Sequence, residues 1–177
     1  LQEYRQKHMA AQQAALTVIQ EANREYAALT GRDWGGLLEL YRMEDAEYAV
    51  VTLGSVTGAV REIVDNQRAK GVRIGLVKIR SLRPFPAAEV AEALAKVAGF
   101  GVIDRNVSFG WNTGILFQEV RSALYQSKAN PTYVPFVGGL GGEDITLELV
   151  DWAVEQIVEA AKAGSRVDRA VWLERAR

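Results

Sequence analysis

Tyr48-Ala49-Val50-Val51-Thr52-Leu53-Gly54-Ser55 is the stretch on which the fold turns. Apolar and β-branched residues run from 48 to 53 without a break and stop at a glycine. A strand wetted on one face alternates apolar with polar. A short continuous run reads as a strand buried on both faces, the habit of parallel sheets. After Gly54 the period changes, and Val56, Val60, Ile63 and Val64 fall at helical spacing until Gly71. The same unit repeats downstream. Residues 72–79 form a strand, 80–86 a loop, and Pro86 suits the first turn of a helix with Val90, Ala91, Leu94 and Val97 on its apolar face. Residues 100–103 form a strand, 104–114 a long loop, and 115–126 a helix with Leu116, Val120 and Leu124 on one side. Residues 132–137 form the next strand, where Pro135 points to a sheet edge or its neighbourhood. The last helix carries Leu149, Val150, Ala153, Val154, Ile157, Val158 and Ala161. Strands alternating with helices in this way predict an α/β domain of three layers, a mostly parallel sheet with helices on both faces. Its crossovers are right-handed.

The flanks read differently. Residues 1–29 are rich in Ala, Gln, Glu and Leu with no Gly or Pro, and predict a helix capped at Gly31. The expected division is 1–43 as an N-terminal helical segment or linker, 44–163 as the α/β domain, and 164–177 as a tail. That tail is either mobile or an extra helix docking through Val171, Trp172 and Leu173.

Composition narrows the chemistry. The chain has 177 residues, 49% hydrophobic and 24% charged, the balance of one globular domain. It has no cysteine, which excludes disulfides, thiolate metal ligands, iron–sulfur ligation and cysteine catalysis by its own residues. It fits a reducing, cytoplasmic setting. His8 is the sole histidine, so neither a His-based triad nor a multi-His metal site is available. Twenty-one basic and 22 acidic residues leave a net charge of −1, no field for nucleic acid. No apolar run approaches the ~18 residues of a membrane span.

A parallel sheet gathers the loops that leave its strands on one edge, where ligands bind. The least ordinary residues lie in those loops. They are Gly54 and Ser55, then Arg83 and Phe85 in residues 80–86, then Asp104, Arg105 and Phe109 in residues 104–110, then Gly141 in residues 138–144. Glycine loops before helices can aim N–H groups at an anion, with Arg80, Arg83 and Arg105 as counter-charge. They also simply permit tight turns, with Ser55 and Asp144 capping the following helices. Arg83 can equally make an internal ion pair, Asp104 can pair with Arg105, and Trp111 suggests a partner surface. If the strands before them are neighbours, the 80–86 and 104–110 loops present Arg83, Arg105, Phe85 and Phe109 together as the main contact surface. No residue set forms a complete active site and no catalytic or metal-ligating residue is assigned. These residues alone give an α/β binding or assembly domain.

Five segments in order carry a family resemblance. They are Gly31-Arg32-Asp33-Trp34, Glu44-Asp45-Ala46-Glu47-Tyr48 leading into Leu53-Gly54-Ser55, Gly71-Val72-Arg73-Ile74-Gly75-Leu76 leading into Leu82-Arg83-Pro84-Phe85-Pro86, residues 102–110, and Val137-Gly138-Gly139-Leu140-Gly141-Gly142-Glu143-Asp144. Together they resemble the alpha subunit of the 2-oxoacid:ferredoxin oxidoreductases, of the pyruvate:ferredoxin oxidoreductase type, over about residues 30–160. The part resembled is the second domain, similar to the transketolase C-terminal domain. The resemblance implies a non-catalytic structural and assembly domain in an enzyme that oxidatively decarboxylates a 2-oxoacid to acyl-CoA and reduces ferredoxin. Thiamine diphosphate, iron–sulfur clusters and coenzyme A are implied for the complete enzyme, none of them bound by this chain alone. Its partners are other domains or subunits of the same enzyme, with ferredoxin as partner of the complex, and the family's first domain is expected to precede this sequence. The family often has Arg where Glu143 stands, which weakens an anion role for that loop. The alternative is a stand-alone module binding a nucleotide or other anion at the strand C-terminal edge.

Overall fold

The computed structural model describes residues 1–125, 127 and 129–174. Helix α1 spans Gln2–Thr30 and ends on Gly31 in the left-handed conformation. A turn through Gly35 leads into β1, Leu38–Tyr41. Gly35 has φ +78°, and a Cβ there would sit 2.1 Å from the Leu38 carbonyl oxygen, so the turn requires glycine. There follow β2 (Tyr48–Thr52), α2 (Thr57–Ala69), β3 (Ile74–Ile79), α3 (Ala87–Leu94), β4 (Gly99–Asp104), α4 (Ile115–Tyr125), β5 (Thr132–Gly138), α5 (Leu147–Lys162) and β6 (Val171–Leu173). The expected end of α4 at Gln126 lies outside the described residues, as do Arg175 and Arg177 of the tail.

The six strands form one sheet in the order β1-β3-β2-β4-β5-β6. All pairings are parallel except β1 with β3. Alternation along each strand divides the core. Val50, Ile74, Leu76, Ile103 and Phe136 face one way, onto Val60, Ile63 and Val64 of α2 and Val154 and Ile157 of α5. Ala49, Val51, Val77, Phe100 and Val102 face the other way, onto Val90 and Leu94 of α3 and Leu116, Phe117 and Val120 of α4. The expected three layers are therefore present.

Two expectations need correction. The sheet reaches beyond 44–163 at both ends, since β1 and β6 are its outer strands. Over 171–173 the tail is a strand, not a docked helix. It adds a parallel strand beside β5, burying Leu173 against Gly138 while Trp172 stays half exposed. As expected, Pro135 lies in the neighbourhood of an edge, in β5 beside the outer strand β6. The Tyr133 carbonyl accepts from Val167 N–H on the β6 side, and by alternation the Pro135 nitrogen faces that side too. There it falls in the gap between the Tyr133–Arg166 bridge and the Phe136–Val171 pairing, where no hydrogen bond is owed.

Candidate functional site

Strands β2 to β5 are parallel, so the loops at 53–56, 80–86, 105–114 and 139–146 all leave the same edge of the sheet. The helices after β2 and β4 lie on opposite faces. Between those adjacent strands the chain parts, opening a crevice.

Asp104, the last residue of β4, sets the geometry of this rim. Its side chain is 2% exposed, and its carboxylate accepts from the Leu116 and Phe117 N–H groups and from the Asn106 amide, each at 3.0 Å. Two orphan donors at the start of α4 are thereby satisfied, and the carboxylate lies at the positive end of the helix. Burial pushes the Asp104 carboxyl above the ordinary carboxylate range, while the three donors pull it back. Gly114 is the only residue type that fits here, because a Cβ would lie 2.0 Å from Asp104 Cγ. The suggested Asp104–Arg105 ion pair does not form: Asp104 points inward and Arg105 outward.

Arg105 reaches across the crevice. Its guanidinium donates to Ser55 Oγ at 3.5 Å and to the Gly139 carbonyl at 3.3 Å, and it makes no ion pair among the described residues. A cavity of about 160 Å³ lies beside it, lined by Ser55, Val56, Ala59, Glu143, Asp144 and Ile145. Ser55 does not cap α2, which has no side-chain cap, and Thr146 rather than Asp144 caps α5 by accepting from Leu149 N–H. Gly54 (φ +74°) and Gly141 (φ +65°) each leave open space where a Cβ would point.

Arg83 and Phe85 do not join Arg105 and Phe109. The expectation required β3 and β4 to be neighbours, and β2 lies between them. Arg83 pairs with Glu119 of α4 and donates to the Leu82 carbonyl at 2.6 Å. Phe85 packs, half-buried, against the α3–α4 core. Phe109, by contrast, is 94% exposed and Trp111 69% exposed. They stand on a braced turn. Ser108 N–H bonds to the Thr113 carbonyl at 2.8 Å, Trp111 N–H to the Ser108 carbonyl at 3.1 Å, and Ala170 N–H to the Asn112 carbonyl at 2.7 Å. Two large aromatics are thus held in water on a fixed backbone, the form of an interface anchor. Beside them a groove of about 720 Å³ runs between Trp111, Arg121, Tyr125 and Asp168. Tyr125 was missed from sequence because its helical position looks like any surface residue. The acidic wall at Glu143 and Asp144 was visible, but its nearness to Arg105 depends on β4 and β5 being paired.

The side chains do not fit the family's iron–sulfur clusters, which need thiolate ligands, because the chain has no cysteine. Among the described residues no group of three or more His, Asp or Glu is placed to hold the metal that would accompany a diphosphate. No helix among them is long and apolar enough to cross a membrane.

Comparison with known proteins places this architecture. The family model described as "Pyruvate:ferredoxin oxidoreductase core domain II" matches residues 46–150. The alpha subunit of an NADH-dependent phenylglyoxylate dehydrogenase from Aromatoleum evansii is 39% identical over 170 residues, covering 96% of this chain and 41% of that protein. The pyruvate synthase subunit PorA of Methanosarcina barkeri is 38% identical over 167 residues, covering 94% and 42%. The chain thus spans about two fifths of the length of these relatives. Among solved structures, a 2-oxoglutarate:ferredoxin oxidoreductase from Magnetococcus marinus superposes with a TM-score of 0.52 at 22% identity, covering 82% of this chain and 23% of that one. A split-gene transketolase, an inactive beta4 tetramer, gives 0.50 at 19% identity, covering 66% and 39%. Both support the transketolase-like fold. With its matched segment running from the start of β2 into α5, the chain belongs to the pyruvate:ferredoxin oxidoreductase core domain II family.

Proposed function

We propose that this chain is a non-catalytic assembly domain of a 2-oxoacid:ferredoxin oxidoreductase, an enzyme that uses thiamine diphosphate, iron–sulfur clusters and coenzyme A carried elsewhere in the complex. Its partners are other domains or subunits of that enzyme, and ferredoxin is the electron acceptor of the whole. The observation that carries this reading is the braced turn holding Phe109 and Trp111 in solvent, in the same loop as Arg105, on the edge where a parallel sheet collects its loops. Exposed aromatics on a rigid backbone lose little entropy on docking, so their burial goes largely into affinity. The family membership and the likeness to the alpha subunit of a phenylglyoxylate dehydrogenase and to a pyruvate synthase subunit support the identity of the partner.

The test has two arms. The chain alone, supplied with pyruvate, thiamine diphosphate, coenzyme A and ferredoxin, gives no turnover. Expressed with the remaining parts of the oxidoreductase, it co-purifies with them and the complex reduces ferredoxin. Turnover by the clean isolated chain, or a complete and active complex that excludes it, contradicts the proposal.

A further inference from the structure

The two edges of the sheet at its strand ends are built differently. At the edge opposite the rim, the loops at 42–47, 70–73 and 95–98 hold none of the exposed large hydrophobic residues. Charges there are met within the chain: Arg42 pairs with Asp65, Asp45 with Arg68, Arg73 with Glu47 and Lys70 with Asp151. At the rim, each strand from β1 to β5 has a large apolar side chain in water beside it. Trp34 precedes β1, whose start lies against the end of β3 in the antiparallel pair Leu38–Ile79. Leu53 follows β2, Leu82 follows β3 and Leu140 follows β5, and these four are 37–41% exposed. Phe109 and Trp111 follow β4. In sheet order they make one row, about 19 Å from the first strand to the last. A lone exposed leucine is ordinary, but a row confined to one edge marks a contact surface.

The β1–β3 end of the row is held as firmly as the Phe109 turn. Asp33 Oδ1 accepts from Gly35 N–H and from the Asn23 amide, both at 2.8 Å. The Arg80 and Ser81 N–H groups donate to the Leu37 carbonyl at 3.0 and 3.3 Å, and Ser81 Oγ donates to the Pro84 carbonyl at 2.9 Å. Arg80 is exposed, and one nitrogen of its guanidinium donates to the Trp34 carbonyl at 2.5 Å. It makes no ion pair among the described residues, so its remaining donors can take a carboxylate as a forked pair. Arg83, the other cation of that loop, is taken up by Glu119.

Charge runs one way along the row. Arg80 stands at the β3 end, Arg105 at β4, and Glu143 and Asp144 beyond β5, three strand spacings or about 14 Å from Arg80. Neither of those two exposed carboxylates has an ion pair among the described residues. We propose that the whole row, not the 105–114 loop alone, is the contact surface, with Trp34, Arg80 and Leu82 as its second anchor. Its occupant is an apolar face of another domain or subunit of the oxidoreductase, acidic opposite Arg80 and basic opposite Glu143 and Asp144. That face docks in one orientation, because turning it end for end sets like charges against each other at both ends. This rests on the assembly reading and adds to it the partner's chemistry and its direction.

The affinity of the full chain for the remaining parts of the complex, measured over a salt series, tests it. Arg80→Glu and Glu143→Arg each weaken binding roughly tenfold or more and flatten its salt dependence. Leu82→Ala weakens it as well. All three positions are exposed, so the free variants melt with the wild type. A second measurement needs no variant: hydroxyl-radical labelling of Trp34 and Leu82, read by mass spectrometry, falls in the complex together with that of Phe109 and Trp111. If Phe109→Ala weakens binding while Arg80→Glu, Glu143→Arg and Leu82→Ala do not, the assembly reading stands and this extension of it falls. Glu143→Arg that tightens binding, or Trp34 and Leu82 labelled as fully in the complex as in the free chain, also overturns it.

Discussion

Replacing Asp104 by alanine removes an acceptor from three donors, each at 3.0 Å. The Leu116 and Phe117 N–H groups lie in residues that are 1% and 2% exposed, so water does not readily replace the carboxylate. An unsatisfied buried donor costs about 1–3 kcal/mol, and two are left. Loss of a helix cap alone costs about 1 kcal/mol. Removing the desolvated charge offsets part of this, so the expected net loss is about 3 kcal/mol, a large share of the 5–15 kcal/mol typical of a whole domain. For a chain of this size that is a fall in melting temperature of roughly 6–12 °C. Asp104→Asn keeps one acceptor oxygen but aims an amide N–H at a backbone N–H, for about 2 kcal/mol. The pH dependence distinguishes burial from hydrogen bonding. Burial raises the carboxyl above its unfolded value, so the folded state binds the proton more tightly. The group's contribution is then fullest below the unfolded value and falls as pH rises through the folded one. The cost of Asp104→Asn, measured by urea unfolding, is therefore larger near pH 4 than at pH 7. An alanine variant melting within about 2 °C of wild type refutes the capping argument. A cost that grows towards neutral pH shows the donors outweigh burial.

Gly114→Ala forces a Cβ onto the Asp104 carboxylate and should destabilise the chain about as much as losing that carboxylate, again by urea unfolding. Arg83→Ala removes an exposed ion pair with Glu119 and should shift stability by less than about 1 kcal/mol, with assembly unchanged. Removing residues 171–173 uncovers the β5 edge beside Gly138, and should lower the melting temperature and promote aggregation seen by light scattering. Heat-flow titration with thiamine diphosphate, coenzyme A and nucleotides should give no binding to the isolated chain, because Glu143 and Asp144 share Arg105's cavity; saturable binding favours the anion-module alternative.

Much of the fold was legible because its signals are periodic. The unbroken run at 48–53 and the helical spacing after Gly54 each extend over enough residues to exclude the other period. Strands β1 and β6 were not legible. Leu38–Tyr41 and Val171–Leu173 are too short for a period, and each is held by a partner far away in the chain. The site was legible as a set of loops but not as an arrangement. Whether Arg105 meets Arg83 or Ser55 depends on sheet order, and the insertion of β2 between β3 and β4 decides it. Phe85 and Phe109 look alike in sequence, each an aromatic beside Pro or Gly in a loop. One packs on α3 and α4, and the other is lifted into solvent by the Ser108–Thr113 bridge.

The central claim, that the rim attaches this domain to the rest of an oxidoreductase, is tested most directly by mass measurement of the intact complex carrying Phe109→Ala or Arg105→Ala. Both side chains are exposed, so the isolated variants should melt with the wild type. The account predicts that the complex loses this domain, or holds it with affinity weakened by about 2 kcal/mol or more for an anchor residue, roughly thirtyfold. A complex of full mass and unchanged affinity with both substitutions present contradicts it.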